Sequence, residues 1–406
     1  MKIAVLGYGT VGSGIVEVLT TNAQSITKKA GTPLHVKYIL DKRDFDEISL
    51  KEKFVKDIDV ILRDAEVEIV AEAMGGLHPA YDFVKACLEQ GKSVVTSNKE
   101  LVAAYGPELL ELAKNKCCNF LFEASVGGGI PIIRPLNSAL TADEIDEITG
   151  ILNGTTNFIL TKMKVEGRSF DEVLHEAQEC GYAEQNPEAD VEGYDACRKI
   201  AILASLALGA HIDYKEIDTQ GITKIKKEDI EYASHMGYSI KLLASCKKEN
   251  EDIYASVKPM MIANEHPLAS VNDVFNAVLV KGNMVGDVMF YGKGAGKLPT
   301  ASAVVADLID AARHKHTNIM CFWSREKLEL QSNEKEHNHY FIRLKGESVV
   351  TQTFVEEVFQ NIQSVPILFD NEYAFITGDE TMQSLQAKLM QLKDMELLSQ
   401  IAIKKG

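Results

Sequence analysis

Short apolar runs alternate with amphipathic stretches through the first third of the chain. Lys2–Leu6, Leu34–Leu40 and Ser93–Thr96 have the length and composition of buried strands, and a helical pattern at Tyr81–Gln90 lies between the last two. This alternation predicts an α/β domain built on a doubly wound parallel sheet. Further strands are predicted at 68–73 and 119–123.

The pattern changes after Pro135. A strand is predicted at Glu144–Leu152, and four β-like runs with short links fill residues 238–291. Such runs predict an antiparallel sheet with one open face, which can serve as a dimer surface. A helix at 299–316 is expected to return and cover the first domain.

The last part of the chain has a pattern of its own. Residues 317–338 are polar and charged, which is typical of a linker, and 339–406 is predicted as strand, helix, two strands, helix and strand. This order favours a small ferredoxin-like domain. We therefore expect a dinucleotide-binding domain at 1–135, completed by the helix at 299–316, and a second domain with a mixed sheet at 136–298.

Composition narrows the function classes. The 406 residues carry a net charge of −16, which argues against nucleic acid and anionic membranes as partners. The longest strongly apolar run, Ile200–Ala210, is too short to span a bilayer, and the N-terminus enters a strand without a signal peptide. Seven cysteines without a C-x-x-C pair are typical of a reduced cytoplasm.

A glycine-rich turn follows the first strand and opens a helix. It consists of Gly7, Tyr8, Gly9, Thr10, Val11 and Gly12. In a strand–turn–helix context, G-x-G-x-x-G lets a pyrophosphate approach the backbone and the free N–H groups of the helix. The motif predicts a dinucleotide site, and the alternative is a glycine-rich turn that binds nothing.

The second strand ends at Asp41, Lys42 and Arg43. An acidic residue at this place accepts from the ribose 2′-hydroxyl of NAD, whereas basic residues favour the 2′-phosphate of NADP. Both types are present, so both coenzymes remain open. Ser97 and Lys99 follow the strand at 93–96, where ligands of such sheets bind, although Lys99 is equally consistent with an ordinary lysine that opens a helix.

Three successive glycines follow Glu123. Backbone carbonyls that turn inward at residues 126–130, together with the Glu123 carboxylate, would form an all-oxygen site for a hard cation. A flexible hinge between domains explains the same residues equally well.

The stretch 181–199 concentrates acidic residues before an apolar helix. Asp190 is a candidate N-cap for this helix, and Asp195 and Lys199 lie four positions apart on one face. Because that face continues into apolar residues, Lys199 is expected to be partly desolvated near the positive end of the helix, which lowers the pKa of a lysine. Such a lysine can exchange a proton at neutral pH. Taken alone, an ordinary salt bridge is the commoner explanation.

Six motifs in sequence order resemble those of homoserine dehydrogenase, and the resemblance covers nearly the whole chain. They are GYGTVG (7–12), TSNK (96–99), FEASVGGGIPII (122–133), GILNGTTNFIL (150–160), GYAEQNPEADVEGYDACRK (181–199) and YGKGAGKLPTASAVVADL (291–308). The resemblance implies a Rossmann domain, a catalytic and dimerising domain, and a C-terminal ACT domain.

The resemblance also implies the reaction and the residue roles. L-aspartate 4-semialdehyde is reduced to L-homoserine with NADP or NAD, in the route to threonine, methionine and isoleucine. Lys199 matches the proton donor, and Lys99 the second acid–base candidate. Glu184, Asp190 and Asp195 match residues that bind the substrate amino group. The remaining matches are a cation site, usually sodium, at Glu123, Val126, Gly128 and Ile130, and a cofactor loop that contains Gly296.

The tail departs from the family pattern. Lys345-Gly346-Glu347-Ser348 stands where the D-x-P-G turn of an ACT domain is usual, so feedback inhibition by threonine is not expected. A homodimer or homotetramer in the cytoplasm is predicted. The alternative from another class is a non-catalytic, dinucleotide-binding amino-acid sensor, which would not need the acidic cluster around Lys199.

Overall fold

The computed structural model describes residues 1–45, 50–346, 348–392 and 395–404 of the chain. The strands are β1 (Lys2–Leu6), β2 (His35–Leu40), β3 (Phe54–Val55), β4 (Val67–Glu72), β5 (Ser93–Thr96), β6 (Phe120–Leu121), β7 (Ile145–Ile151), β8 (Asp218–Thr219), β9 (Tyr238–Glu249), β10 (Asp252–Ala263), β11 (Phe275–Gly282), β12 (Gly286–Lys293), β13 (His337–Lys345), β14 (Gln363–Ser364), β15 (Glu372–Ile376), β16 (Glu380–Thr381) and β17 (Glu396–Ile403). The α-helices are α1 (Thr10–Thr21), α2 (Ala23–Ala30), α3 (Ile58–Arg63), α4 (Ala80–Glu89), α5 (Lys99–Asn115), α6 (Gly154–Glu166), α7 (Phe170–Glu179), α8 (Glu188–Val191), α9 (Tyr194–Leu208), α10 (Lys227–His235), α11 (Lys297–Arg313), α12 (Ser348–Val358) and α13 (Met382–Leu389).

The chain divides into two compact units. The first contains Met1–Ile145, Arg198–Lys215 and Val280–Leu328, and the second contains Asp146–Cys197, Glu216–Leu279 and Glu329–Gly406. This division differs from the predicted boundaries, because α9 and β11 each pass from one unit to the other. A hydrophobic pattern predicts such elements but not which neighbours cover their two ends.

The first unit is built on a parallel sheet in the order β3-β2-β1-β4-β5-β6. This is the order of doubly wound dinucleotide-binding domains, in which the strand sequence reverses between β1 and β4. Ile3 and Val5 of β1 face a core shared with Ile15 of α1 and Val304 of α11. The predictions at Lys2–Leu6 and Ser93–Thr96 match β1 and β5 residue for residue, and the predicted helix that covers this sheet is α11.

Residues 317–328, which lie in the predicted linker, are bound to the first unit. The Trp323 side chain is 5% exposed and stacks on the His211 ring at a centroid distance of 6.1 Å. A Cβ added at Gly106 of α5 would lie 2.8 Å from this indole. The His211 N–H donates to the Glu326 carbonyl at 2.7 Å, and the Leu328 N–H donates to the His211 carbonyl at 2.8 Å. This segment is therefore anchored to the first unit through the buried Trp323 side chain and these backbone hydrogen bonds.

The second unit contains most of a mixed sheet. β9 and β10 pair antiparallel along their whole length, and β7 pairs antiparallel with the other edge of β9. β10 also pairs in parallel with β8 and with β17 near the end of the chain. The antiparallel strands predicted within 238–291 are thus present at β9 and β10.

The C-terminal residues join this sheet through β17. Strand order continues from β10 through β17, β13 and β15 to β14, so the tail and the preceding strands share one hydrogen-bonded sheet. Arg343 of β13 forms a buried ion pair with Asp229 of α10, with 3.2 Å between Nε and Oδ1. The order of strands and helices in the tail agrees with the predicted βαββαβ pattern, with β16 as an extra two-residue strand. Among the residues that the structure describes, no helix combines the length and apolarity needed to cross a membrane.

Candidate active site

The carboxyl ends of β1, β4 and β5 form the first part of the candidate site, in the first unit. Leu6, Glu72 and Thr96, the last residues of these strands, lie in register. The chain leaves β1 in a tight turn that brings Gly12 close to Gly7. A Cβ added at Gly12 would lie 1.9 Å from the Gly7 carbonyl oxygen, so only glycine fits there. Gly9 is the N-cap of α1 and supplies no side-chain cap, so the first N–H groups of this helix can bind an anion.

Asp41 lies at the end of β2 and is fully engaged by its neighbours. Its Oδ2 accepts from the Tyr8 N–H at 2.8 Å and from Arg43 Nη2 at 2.9 Å, and its Oδ1 accepts from the Arg43 N–H at 2.9 Å. The Arg43 guanidinium holds the pKa of this carboxyl well below its usual range. The Arg43 side chain itself remains 61% exposed, and Lys42 is exposed as well. The Arg43 guanidinium therefore lies at the surface beside the glycine turn, and the Asp41 carboxylate lies beneath it.

Lys99 and Ser97 follow β5, as the sequence predicts. Asn98 caps α5, since its Oδ1 accepts from the Leu101 N–H at 3.2 Å, and Lys99 is the first residue of this helix. The Lys99 and Ser97 side chains are both partly buried.

Lys199 lies in α9 and belongs to the first unit. It is 8% exposed, so the predicted desolvation is present. The preceding residue, Arg198, lies 3.6 Å from Glu100 between Nη2 and Oε1. Because Glu100 follows Lys99 directly, this ion pair brings Lys99 and Lys199 onto adjoining helices of one compact unit.

The acidic residues form a separate cluster in the second unit. The Asn153 amide Nδ2 donates to Asp190 Oδ1 at 2.7 Å and to Asp195 Oδ2 at 2.9 Å. The Asn153 Oδ1 accepts from the Thr156 N–H at 2.8 Å and so caps α6. One side chain therefore fixes the start of a helix and also holds two carboxylates together.

The predicted N-cap role of Asp190 is wrong. Asp190 lies inside the short helix α8, and α9 begins only at Tyr194. Between them, Gly193 adopts φ +83° and turns the chain, which a continuous helix does not allow. Glu184 precedes α8 and is exposed, and its backbone carbonyl accepts from Gln178 Nε2 at 3.1 Å.

Glu123 is 2% exposed and lies in the first unit. Its Oε1 accepts from the N–H groups of Ile132 at 2.7 Å and Ile133 at 2.8 Å, and its Oε2 accepts from the Arg134 N–H at 2.9 Å. A Cβ added at Gly127 would lie 2.5 Å from the Ile130 carbonyl oxygen, so only glycine fits at this position of the loop. The described residues contain no group of three or more His, Cys, Asp or Glu side chains that could hold a metal ion.

Gly296, the predicted cofactor-loop residue, is the N-cap of α11 and has φ +120°. The loop before it contacts the Glu123 loop, since the Gly129 N–H donates to the Lys293 carbonyl at 3.2 Å. The loop after Glu123 and the loop before Gly296 are thus neighbours in the first unit.

Two protein-family models together match most of the chain. The model of the homoserine dehydrogenase NAD-binding domain matches residues 7–123, and the homoserine dehydrogenase model matches residues 131–309. Homoserine dehydrogenase of Bacillus subtilis (strain 168) is 37% identical, over 99% of this chain and 96% of its own. This chain belongs to the homoserine dehydrogenase family.

Solved structures agree. A homoserine dehydrogenase from Thiobacillus denitrificans is 34% identical with a TM-score of 0.90, and the match covers 100% of this chain and 98% of that one. A hyperthermophilic archaeal homoserine dehydrogenase in complex with NADPH is 31% identical with a TM-score of 0.66, over 76% of this chain and 97% of that one. The chain is thus an NAD(P)-dependent oxidoreductase that acts on a CH–OH group, and these matches do not support the sensor.

Within this homoserine dehydrogenase fold, one residue of the acidic cluster was missed from the sequence. Asn153 lies within the motif at 150–160, and asparagine before a helix is a recognisable N-cap signal. Its second function depends on Asp190 and Asp195, which are 37 and 42 residues away. No local pattern indicates a pairing over such a separation.

Proposed function

We propose that this chain interconverts L-aspartate 4-semialdehyde and L-homoserine, with Lys199 as the proton donor to the aldehyde oxygen and Lys99 as a second acid–base group. The observation that carries this assignment is the burial of Lys199 in the same compact unit as the glycine turn, joined to the start of α5 by the Arg198–Glu100 pair. A buried ammonium in the unit that carries the glycine turn suits carbonyl reduction, because negative charge develops on the oxygen.

A nicotinamide coenzyme supplies the hydride when it is bound. Lys199 donates a proton to the oxygen as that charge forms, and accepts it again in the direction of homoserine oxidation. Its low exposure strengthens the electrostatic stabilisation, because little water screens the ammonium. The N–H groups at the start of α1 bind the pyrophosphate.

Glu184, Asp190 and Asp195 are proposed to hold the substrate amino group. The Asn153 clamp supports this role for two of them, because it fixes both carboxylates before a ligand arrives. Asp195 is only 3% exposed, so a cationic amine would meet it in a poorly screened environment. Glu184 is exposed and would bind the amine from the solvent side.

NADP is proposed as the preferred coenzyme. The Asp41 carboxylate already accepts from Tyr8 and Arg43, which leaves it poorly placed to accept from a ribose 2′-hydroxyl as well. The exposed Arg43 guanidinium suits a 2′-phosphate, and Lys42 adds positive charge. The NADPH complex of the archaeal relative is consistent with this preference.

A monovalent cation, such as sodium, is proposed at Glu123 and the carbonyls of Val126, Gly128 and Ile130. A buried carboxylate with neighbouring backbone carbonyls is an all-oxygen donor set, which fits a hard cation, and a side chain at Gly127 would clash with the Ile130 oxygen. Such an ion would tie the loop at 126–130 to Glu123 and take no part in proton transfer.

We infer a homodimer or homotetramer that works in the cytoplasm, in the route to threonine, methionine and isoleucine. The exposed apolar side chains Met284, Met289 and Tyr291 around β12 support an assembly surface. The tail is proposed to be ACT-like in topology, and it serves assembly rather than threonine binding. Part of the turn that differs from D-x-P-G, Glu347, lies outside the described residues.

The test is an absorbance assay at 340 nm with purified protein. L-homoserine should reduce NADP faster than NAD, whereas L-serine, L-threonine and 1-propanol should give less than about one hundredth of that rate, because the acidic cluster and the alcohol must both be engaged. Added threonine should leave the rate unchanged. Coenzyme binding without any homoserine-dependent absorbance change would reject the proposed reaction.

A further inference from the structure

Glu72 is a fully buried carboxyl group that the proposed reaction does not use. It is the last residue of β4, with 0% exposure, and it lies in register with Leu6 on one side and Thr96 on the other. Leu6 leads into the glycine turn, and Thr96 lies three residues before Lys99. Glu72 therefore occupies the point in the sheet where the strand order reverses and where ligands of such domains bind.

The Glu72 side chain bonds to both neighbouring loops. Its Oε1 accepts from the N–H groups of Met74 at 2.7 Å and Gly75 at 3.3 Å. Its Oε2 accepts from the Thr96 hydroxyl at 2.5 Å. The Glu72 backbone carbonyl also accepts from the Ser97 N–H at 3.4 Å. One residue thus connects the loop after β4 with the loop after β5.

The network continues to the helix that carries Lys99. The Asn98 N–H donates to the Thr96 Oγ1 at 2.9 Å, and the Asn98 Nδ2 donates to the Gly76 carbonyl at 2.6 Å. Asn98 is also the N-cap of α5. The chain of bonds from Glu72 through Thr96 and Asn98 therefore ends at the first turn of α5, next to Lys99.

Burial of a carboxylate at this place is unfavourable for the fold. Desolvation raises the pKa of Glu72, and the Thr96 hydroxyl and the Met74 N–H oppose that rise. An apolar residue at position 72 would avoid this cost, but it would leave the Met74 N–H and the Thr96 hydroxyl without their acceptor. The buried carboxylate therefore carries a desolvation cost, and it supplies the hydrogen bonds that hold the two loops in a fixed relation.

We infer that Glu72 is a positioning residue for this reaction: its carboxylate fixes the loop at 73–76 relative to the start of α5, and so sets Lys99 against the bound coenzyme. This inference rests on the proposed function, because the misplacement of Lys99 matters only if Lys99 works in catalysis. A small displacement of a catalytic group lowers the turnover number more than the binding of either substrate.

Glu72→Gln is the informative substitution. The amide keeps the size of the side chain but replaces one acceptor with a donor, so it cannot satisfy both the Met74 N–H and the Thr96 hydroxyl as the carboxylate does. We expect kcat for homoserine oxidation to fall about ten-fold or more, while KM for homoserine and the Kd of NADPH, measured by its own fluorescence, change less than about three-fold. An unchanged kcat would overturn the inference.

Thr96 provides a second route if Glu72→Gln does not fold. Thr96→Val removes the hydroxyl at constant shape and should lower kcat, and Thr96→Ser should restore most of that loss. Equal rates for the two Thr96 variants would overturn the inference. The double variant Glu72→Gln/Thr96→Val should lose no more than the larger single loss, because both changes break one network.

A matched control is Glu380→Gln in the tail. Glu380 is also buried, at 7% exposure, and accepts from the Ser384 hydroxyl at 2.6 Å. This variant should lower Tm without a change in kcat. A proportional fall of kcat and Tm in both Gln variants would reduce Glu72 to a structural residue and overturn the inference.

Amide hydrogen exchange separates this inference from the proposed function. In Glu72→Gln, peptides that cover 73–76 and 98–101 should exchange about ten-fold faster or more, while peptides from α1 stay unchanged. If the wild-type protein failed to oxidise homoserine, the proposed function would fall, yet this exchange readout would still test whether Glu72 orders both loops. Unchanged exchange in both segments would overturn the inference.

Discussion

Two carboxylate sites, one in each unit of this chain, are held by different means. In the first unit, Glu123 accepts from three consecutive backbone N–H groups at 132–134, within eleven residues of its own position. In the second unit, Asp190 and Asp195 share the side-chain amide of Asn153, across about forty residues. The first arrangement is set by a local loop, and the second depends on tertiary packing.

This difference predicts which side-chain substitutions disturb each carboxylate site. Backbone N–H groups remain present after any substitution that preserves the loop. The hydrogen bonds to Glu123 should therefore tolerate changes in the side chains of residues 132–134. The acidic cluster includes one replaceable side-chain amide that bonds to both carboxylates, so a substitution at Asn153 is expected to loosen their arrangement. Lys99 and Lys199, the lysines proposed for catalysis, belong to the first unit, and the proposed substrate-amine ligands belong to the second.

The largest effect is expected for Lys199→Ala in the first unit. We expect kcat/KM for homoserine to fall by about three orders of magnitude, because a general acid and a charge-stabilising group are both lost. Coenzyme affinity should stay within about three-fold. Lys92→Ala is the matched control, since Lys92 is equally buried but donates to the backbone carbonyls of Asp64 and Val67. That control should lose thermal stability and keep its kcat/KM.

The next effect concerns Lys241, a buried lysine of the second unit. Burial lowers the pKa of its ammonium to about 8, from an ordinary value of 10.5. Lys241 is charged in both the folded and unfolded states well below pH 8, and neutral in both above 10.5. Between these pH values Lys241 is protonated only in the unfolded chain. The free energy of unfolding therefore increases with pH, by at most about 3 kcal/mol.

Calorimetry at a series of pH values checks this sign. The Tm of the wild type, relative to that of Lys241→Met, should rise as the pH increases from 8 to 10.5. A difference in Tm that stays constant over this range would show that the Lys241 ammonium is not destabilised by burial. The ammonium donates to Asn157 Oδ1 and Asn272 Oδ1, both at 3.1 Å, and the variant loses those bonds at every pH.

Asn153→Ser tests the amide clamp directly. Serine caps a helix about as well as asparagine, so α6 should remain capped, but the hydroxyl is too short to reach both carboxylates. We expect KM for homoserine to rise about thirty-fold, from the loss of hydrogen bonds to charged groups worth about 2 kcal/mol. Ser169→Ala, which removes the cap of α7 in the same unit, should change stability only. An unchanged KM would mean that the carboxylates are held without Asn153.

The smallest of these effects is expected at Arg43. Arg43→Ala should lower kcat/KM for NADP about ten-fold and leave that for NAD nearly unchanged, because one charge-assisted contact to the 2′-phosphate is lost. Asp41 would then regain acceptor capacity for a ribose hydroxyl. Equal losses with both coenzymes, in the 340 nm assay, would contradict a role of Arg43 in coenzyme choice.

The comparison of the two units also explains what the sequence could predict. The strand ends at the proposed coenzyme site can be predicted from short stretches of sequence. β1, the glycine turn and α1 lie within the first 21 residues, and Lys99 lies three residues after the end of β5. The burial of Lys199 could be predicted because the helix that carries it is apolar. Periodicity and turn chemistry act over a few residues, so they indicate such features well.

The features that the sequence did not reveal all depend on distant partners. Residues 317–328 were predicted as a linker because they are polar on average, yet Trp323 packs against Gly106 and His211. The join between tail and sheet rests on the pairing of Met261 with Ile403, which are about 140 residues apart. Asp190 was placed at a helix start because the pattern continues through Gly193, where the positive φ ends it.

Chemical rescue of Lys199→Ala tests the central claim most directly, because it asks whether an amine at this position carries the proton. Methylamine and ethylamine, added to the variant with homoserine and NADP, should restore turnover in proportion to their concentration, and neither should accelerate the wild type. The same amines should leave the turnover of Lys92→Ala unchanged. A Lys199→Ala variant that turns over at the wild-type rate without any added amine would contradict the claim.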